Sequence, residues 1–200
     1  VSTMHEGDFR NNEKSYTLDK NIEVYISHTD TEEKEILLKD KFKLQKDEII
    51  DASVMSIKAL KSFLQQSIDD ANKENVLFSV HLKATMMKVS DPIIFGHVVK
   101  TYFSKVFEKY DDIIKELEIN VNNGFGHLTG KIKDLNDELK NEIISEINVA
   151  YKKGPELAMV NSDKGVTNLH VPSDVIIDAS MPAMIRNSGK MWDSFGKAKD

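Results

Sequence analysis

The chain has 200 residues, 40% of them hydrophobic, which is enough for one sizeable buried core, and no segment approaches the length of a membrane span. With 27 basic against 33 acidic residues the net charge is -6, and no basic stripe with interleaved aromatics occurs, which argues against nucleic acid as a partner. Cysteine is absent, excluding disulfides, thiolate metal sites and cysteine nucleophiles and fitting a reducing cytoplasm.

Residues 1–20 are polar and irregular. Ile22, Val24 and Ile26 then alternate with Glu23 and Tyr25, and Ile36, Leu38, Phe42 and Leu44 repeat the alternation beyond the polar stretch HTDTEEKE. This two-residue period predicts an antiparallel hairpin whose solvent face is kept wet by Lys39, Lys41, Lys43 and Lys46. From Ser56 to Ala71 the spacing of Ile57, Leu60, Leu64, Ile68 and Ala71 predicts an amphipathic helix with a packing role. Val76–Leu82 reads as a largely apolar strand, interrupted by Ser79 and His81 and followed by Lys83.

Ser90, Asp91 and Pro92 form a helix-start signal, because a Ser or Asp oxygen accepts unpaired N–H groups and proline tolerates the first helical position. In the helix that follows, Phe95, Val99, Tyr102, Val106 and Tyr110 line one face, an aromatic stripe suited to a core. His97 has no second histidine three or four residues away and is read as structural rather than as a metal ligand. Asn122 to Gly126, reading NNGFG, lacks the third glycine and the strand-to-helix context of a nucleotide loop and is read as a turn. A further helical stripe of Leu139, Ile143, Ile147 and Tyr151 follows a cap at Asn136 and stops at Gly154-Pro155.

Leu157–Val160 and Val175–Ile177 are short unbroken apolar runs, suited to strands buried on both faces. Asp163 follows the first and Asp178 the second, at the strand ends where sheets of parallel strands hold ligands. The loop between them carries Asp163, Lys164, Asn168, His170, Ser173 and Asp174, more polar groups than a turn requires. The pentapeptide IIDAS ends both Ile49–Ser53 and Ile176–Ser180, so Asp51 is an internal comparison for Asp178. From the residues alone, Asp178 is either a ligand of a magnesium-like or manganese-like cation or a cap, turn acid or ion-pair partner. Lys83 is either a proton-relaying lysine beside that cation or a solvated strand-end lysine.

The runs KATMMKVSDPIIFGH at 83–97 and SDKGVTNLHVPSDVIIDASMPAMIR at 162–186 resemble the monomeric NADP-dependent isocitrate dehydrogenases, and GDFRNNEKS, EIIDASVMS and NVNNGFG match in kind. The likeness covers nearly the whole chain. It implies a metal-dependent oxidative decarboxylase of the small molecule isocitrate, giving 2-oxoglutarate and carbon dioxide with reduction of NADP, and working in the cytoplasm as a monomer without nucleic acid or membrane. Carried over by position, the family's catalytic lysine falls on Lys83, with Lys88 its neighbour and competitor, and one aspartate ligand of Mg or Mn falls on Asp178.

The resemblance also implies that residues 1–200 are a partial large domain of a longer two-domain enzyme. The absent initiating methionine and the glycine-punctuated, loop-like stretch GKMWDSFGKAKD fit a fragment. The other metal aspartates, the substrate arginines and the NADP-binding residues would then lie elsewhere, leaving the chain inactive alone. The expected fold class is α/β, isocitrate/isopropylmalate dehydrogenase-like: layered helices around a mainly buried sheet whose central strands include 76–82, 157–160 and 175–177, with an antiparallel hairpin near the N-terminus. The competing functions are a noncatalytic module that keeps the fold, and another metal-dependent hydroxyacid decarboxylating dehydrogenase.

Overall fold

Asp30 sets the geometry of the first hairpin: its Oδ1 accepts the N–H groups of Glu32 at 2.8 Å and Lys34 at 3.0 Å, closing the polar turn. On either side run β2 (Ile22–Thr29) and β3 (Glu35–Leu44), antiparallel, with Ile22 opposite Leu44 and Val24 opposite Phe42 as the alternation predicts. Lys41 faces Glu23 across the strands at 3.6 Å, one of the wet-face contacts expected there. In the computed structural model, which describes residues 1–82, 87–172 and 185–200, the chain divides into two compact units, Val1–Leu60 and Lys61–Asp200.

In the first unit the hairpin is bracketed in sequence by β1 (Lys14–Thr17) and β4 (Ile49–Ala52), which pair antiparallel with Ser15 opposite Asp51. A short helix, α1 (Phe9–Asn12), precedes them. Leu18 is the unit's buried anchor, its N–H donating to the Glu48 carbonyl and its own carbonyl accepting from Asp47, both at 2.9 Å.

The unit boundary falls within α2 (Ile57–Glu74), where Leu60, Leu64 and Ile68 are buried as their spacing predicts while Ile57 is exposed. The second unit is mostly helical. The expected helix from Ser90 is broken into α3 (Ser90–Tyr102), α4 (Ser104–Lys109) and α5 (Asp111–Glu116), with Phe103 and Tyr110 out of helical geometry at the joints. The break turns Phe103 inward. It is fully buried and stacks on Phe125 of α6 (Phe125–Lys131), ring centroids 3.9 Å apart, with Tyr151 edge-on at 5.4 Å. The five stripe residues Phe95, Val99, Tyr102, Val106 and Tyr110 are all buried, so the core assignment holds although the helix does not run through.

Ser90 and Asp91 are not caps: both lie inside α3, Ser90 Oγ donating to Asp91 Oδ1 at 3.1 Å, and the Asp91 N–H bonds back to the Met87 carbonyl. In α7 (Asp137–Lys153) the cap is as predicted, Asn136 Oδ1 accepting the Leu139 N–H at 3.0 Å, and Gly154 ends the helix. The C-terminal stretch read as a loop is an antiparallel pair, β7 (Met191–Trp192) and β8 (Ala198–Lys199).

The class is mixed α/β, as expected, with helices and small antiparallel sheets that include the N-terminal hairpin. Within it the described residues carry two-stranded pairs rather than one broad sheet. The segments 76–82 and 157–160 are neighbours, but through a single parallel bridge between Phe78 and Leu157. Leu157 and Ala158 are buried, whereas Val160 is 66% exposed on β5 (Met159–Asn161), which among the described residues pairs with β6 (Val166–Thr167). The third expected strand, 175–177, lies outside the described residues.

Candidate functional site

Three separate segments meet at Ala158. Its N–H donates to the Phe78 carbonyl at 3.0 Å, and its carbonyl accepts the Asn168 N–H at 2.8 Å. The Phe78 N–H in turn donates to the Glu156 carbonyl at 2.8 Å. Asn168 is 5% exposed, and its Oδ1 accepts the Val80 N–H at 2.6 Å. A shielded backbone N–H without a partner is costly, so this side chain satisfies a part-buried donor that no strand among the described residues pairs. The segment leading towards Lys83 is thereby fixed to the segment leading towards Asp178.

The second of these segments is held from the opposite side by α6. Phe125 and Gly126 donate their N–H groups to the carbonyls of Leu169 and His170, each at 2.8 Å. Gly124 has φ +87°, a conformation that side chains disfavour, and a Cβ there would lie 2.4 Å from the His170 carbonyl oxygen. A Cβ on Gly126 would lie 2.7 Å from the same oxygen. The stretch NNGFG, expected to be a turn, instead runs from a 3-10 helix (Val121–Asn123) into the first turn of α6, and its two glycines let the 169–170 backbone approach.

His170 Nδ1 accepts the Thr167 N–H at 2.9 Å and lies 2.9 Å from the Thr167 hydroxyl, and its ring meets Phe125 edge-on. Accepting at Nδ1 leaves the neutral ring's proton on Nε2. Burial pushes the imidazole below its ordinary range, only partly opposed by the Thr167 backbone contact. His81 behaves alike: burial lowers it, its Nε2 lies 2.7 Å from Ser79 Oγ, and its buried Nδ1 has no partner among the described residues. These two residues interrupted the apolar run in sequence, and they bond to each other.

Beside the frame is a cavity of about 460 Å³ lined in part by Asn72, Tyr102, Glu156, Met159, Thr167 and Lys199. Its charged groups are already engaged. Glu156 Oε1 accepts the N–H and hydroxyl of Ser194, both at 2.8 Å, and Oε2 accepts Lys199 Nζ at 3.0 Å. Burial raises the Glu156 carboxyl, but these donors outweigh it and hold the group below its ordinary range. Tyr102 donates to the Pro155 carbonyl at 2.6 Å; burial, then Tyr151 and Glu156, push its hydroxyl well above the ordinary value. It is no acid or base near neutral pH.

Lys83 and Asp178, with Ser173 and Asp174, lie outside the described residues. Asp163 and Lys164 sit on the exposed β5–β6 turn, where Asn161 Oδ1 accepts the Lys164 N–H at 3.0 Å, so their part of the loop is a hairpin turn rather than a site. Asn168 and His170 are brought together in the frame. Asp51 stands on exposed β4 beside Glu13, whose carboxyl it raises through a shared hydrogen bond and like charge. His97 is lowered by burial, then by Lys61 and Lys100, and its Nδ1 has no partner among the described residues. Among the described residues no group of three or more His, Asp or Glu gathers to hold a metal ion. Thr167, which orients His170, carried no signal in the sequence reading.

The family model described as monomeric isocitrate dehydrogenase matches residues 1–200. The chain belongs to that family. It is 50% identical over 200 residues to the NADP isocitrate dehydrogenase of Azotobacter vinelandii, a match covering 100% of this chain and 27% of that protein. The NADP isocitrate dehydrogenase of Corynebacterium glutamicum is 50% identical over 204 residues, again covering 100% of this chain and 27% of the relative. NADP isocitrate dehydrogenase 2 of Mycobacterium tuberculosis is 46% identical over 200 residues with the same coverage. The chain thus spans 27% of the length of the curated relatives it matches. The fold of the chain, helices with small antiparallel sheets, agrees with the α/β class expected of the family.

Proposed function

We propose that this chain carries the proton-transferring lysine and one metal carboxylate of an NADP-dependent isocitrate dehydrogenase. The observation that carries the reading is the family match across all 200 residues, which includes both runs bearing Lys83 and Asp178. The frame around Ala158 and Asn168 supports it, since it joins the two segments that lead to those residues.

In the reaction, hydride leaves the hydroxyl-bearing carbon of isocitrate for NADP while the hydroxyl proton is taken up. The β-carboxylate then leaves as carbon dioxide, and the enol is reprotonated to 2-oxoglutarate. Lys83 assists proton transfer at the substrate hydroxyl and at the enol. Asp178 supplies a hard oxygen donor of the kind Mg or Mn takes, with the remaining oxygens coming from substrate, water and other residues. Bound there, the cation would polarise the oxygen at the reacting carbon and hold the charge that develops as carbon dioxide departs. The reading includes a single-chain cytoplasmic enzyme with no nucleic-acid partner. No helix among the described residues is long and apolar enough to cross a membrane.

The test sets these residues into the Azotobacter relative in place of its matching stretch and follows manganese- and isocitrate-dependent NADP reduction. The chimera turns over and the 200-residue chain alone does not. Asp178→Asn in the chimera lowers turnover by about 100-fold, an order expected for loss of a metal contact, whereas Asp51→Asn has a small effect. Full turnover by Asp178→Asn would leave the noncatalytic module as the better reading. A panel of other hydroxyacids, with isocitrate no better than the rest, would favour a different hydroxyacid dehydrogenase.

A further inference from the structure

We infer that the cavity beside the frame is a binding site for a small uncharged aromatic amide, a planar ring bearing a hydrogen-bond acceptor and donor side by side. Its volume of about 460 Å³ lies in the range of small-molecule sites, and its lining falls within the unit Lys61–Asp200. Tyr102, Tyr151, Leu157 and Met159 give it aromatic and aliphatic walls. A charged occupant would have to meet an opposite charge there. The charged pair that lines the cavity is already matched: Lys199 Nζ is bonded to Glu156 Oε2 at 3.0 Å and to Asn75 Oδ1 at 3.2 Å, and Glu156 Oε1 accepts from Ser194. The chemistry therefore selects a neutral ligand.

Two asparagines in the lining are oriented by partners that allow only one face of each amide. Asn72 turns its NH2 to the Lys153 carbonyl at 3.1 Å, because a carbonyl only accepts, and its Oδ1 is left without a partner among the described residues. Asn75 turns its Oδ1 to Lys199 Nζ, because an ammonium only donates, and its NH2 is left in the same state. Both start from a fixed helix end: Asn75 closes α2 in the left-handed conformation, φ 54°, and the Val76 N–H returns to the Ala71 carbonyl at 3.1 Å. The Tyr102 hydroxyl is spent on Pro155, whereas the Tyr151 hydroxyl makes no hydrogen bond among the described residues. The unused groups are thus an amide oxygen, an amide NH2 and a phenol. A carboxamide complements them, its carbonyl accepting from Asn75 or Tyr151 and its NH2 donating to Asn72, with the attached ring against the walls. Lys83 and Asp178 take no part, so this site stands or falls apart from the proposed reaction.

The experiment titrates the nitrogen-labelled chain with benzamide and follows the side-chain NH2 resonances of Asn72 and Asn75 by heteronuclear NMR. Both shift saturably, with half-saturation at about 1 mM, the order expected for so small a ligand. Benzoate, of the same shape but charged, binds about tenfold more weakly or worse. Toluene, which lacks the amide, leaves the two NH2 resonances in place. Asn75→Asp keeps the oxygen that holds Lys199 and removes the NH2, and Tyr151→Phe removes the hydroxyl and keeps the ring. Each weakens benzamide by about 3–10-fold, the worth of one hydrogen bond, with the thermal midpoint little changed. The inference is overturned if neither resonance shifts saturably up to about 10 mM benzamide, or if both variants bind benzamide as the parent does. Equal binding of benzoate would overturn it in favour of an anion site at Lys199, and an equal response to toluene in favour of a merely apolar hollow.

Discussion

The carbonyl oxygen of His170 occupies the space that a Cβ on Gly124 would need, 2.4 Å away, and Gly124 holds φ at +87°. Alanine at that position meets both a clash with backbone and left-handed strain. We expect Gly124→Ala to destabilise the chain by about 2 kcal/mol or more, read from the urea midpoint. Gly130, on the same helix α6, has nothing within 4 Å of a built Cβ. Gly130→Ala should stabilise by about 0.5–1 kcal/mol through helix propensity, and a loss there as large as at Gly124 would contradict the account.

Phe103 is 0% exposed and lies between Phe125, Tyr102 and Tyr151. Phe103→Ala empties a position flanked by three aromatic rings. A loss of about 3–5 kcal/mol is expected in equilibrium unfolding, against about 1 kcal/mol for Phe103→Leu if the neighbours repack.

What could be read from sequence was what local chemistry decides. Asp30 and Asn136 make turn and cap bonds to backbone a few residues away, so the hairpin and the start of α7 were legible from residue type and spacing. The break at Phe103 was not, because the 90–110 period runs through it unchanged, and the ring Phe103 stacks on lies on α6, distant in sequence. NNGFG was read as a turn, whereas Gly124 joins a 3-10 helix over Val121–Asn123 to α6, which opens at Phe125, and the reason for glycine there is the distant His170 carbonyl. Val160 was expected to be buried on the strength of an apolar run, and it is exposed, because the run itself does not say which face of the β5–β6 hairpin is covered. The catalytic and metal assignments at Lys83 and Asp178 came from whole-motif resemblance, since one lysine and one acid after apolar runs have several uses in folded proteins.

Burial lowers the imidazoles of His81, His97 and His170 below their ordinary value of 6.5. A lowered folded-state value means that the unfolded chain binds protons first as pH falls. Stability is therefore unaffected above the ordinary histidine range and declines as pH drops from about 6.5 towards the depressed folded values. His170→Asn, whose Oδ1 takes the place of the accepting Nδ1, should flatten part of that decline in urea titrations run at a series of pH values. An unchanged slope would show that His170 protonates without penalty.

Glu156 ties the β7–β8 pair to the end of the segment after α7, through Ser194 and Lys199. Trp192, the chain's only tryptophan, lies in that pair and is 50% exposed. Glu156→Ala should cost about 1 kcal/mol, the groups being partly exposed, and should increase quenching of Trp192 by acrylamide. Because the Glu156 carboxyl is held below its ordinary value of 4.5, the wild-type contribution is present above that pH and fades as pH falls through the depressed value, with quenching rising in step.

The bond between Val80 and Asn168 spans 88 positions of chain. Its loop-closure entropy must be met before it gives anything back, and the stretch it encloses contains the helices α3 to α7. That cost favours closing the frame after those helices have formed. A nascent or partly unfolded chain has no other described bond from Val80 to the 167–170 segment, so this contact waits on the surrounding unit.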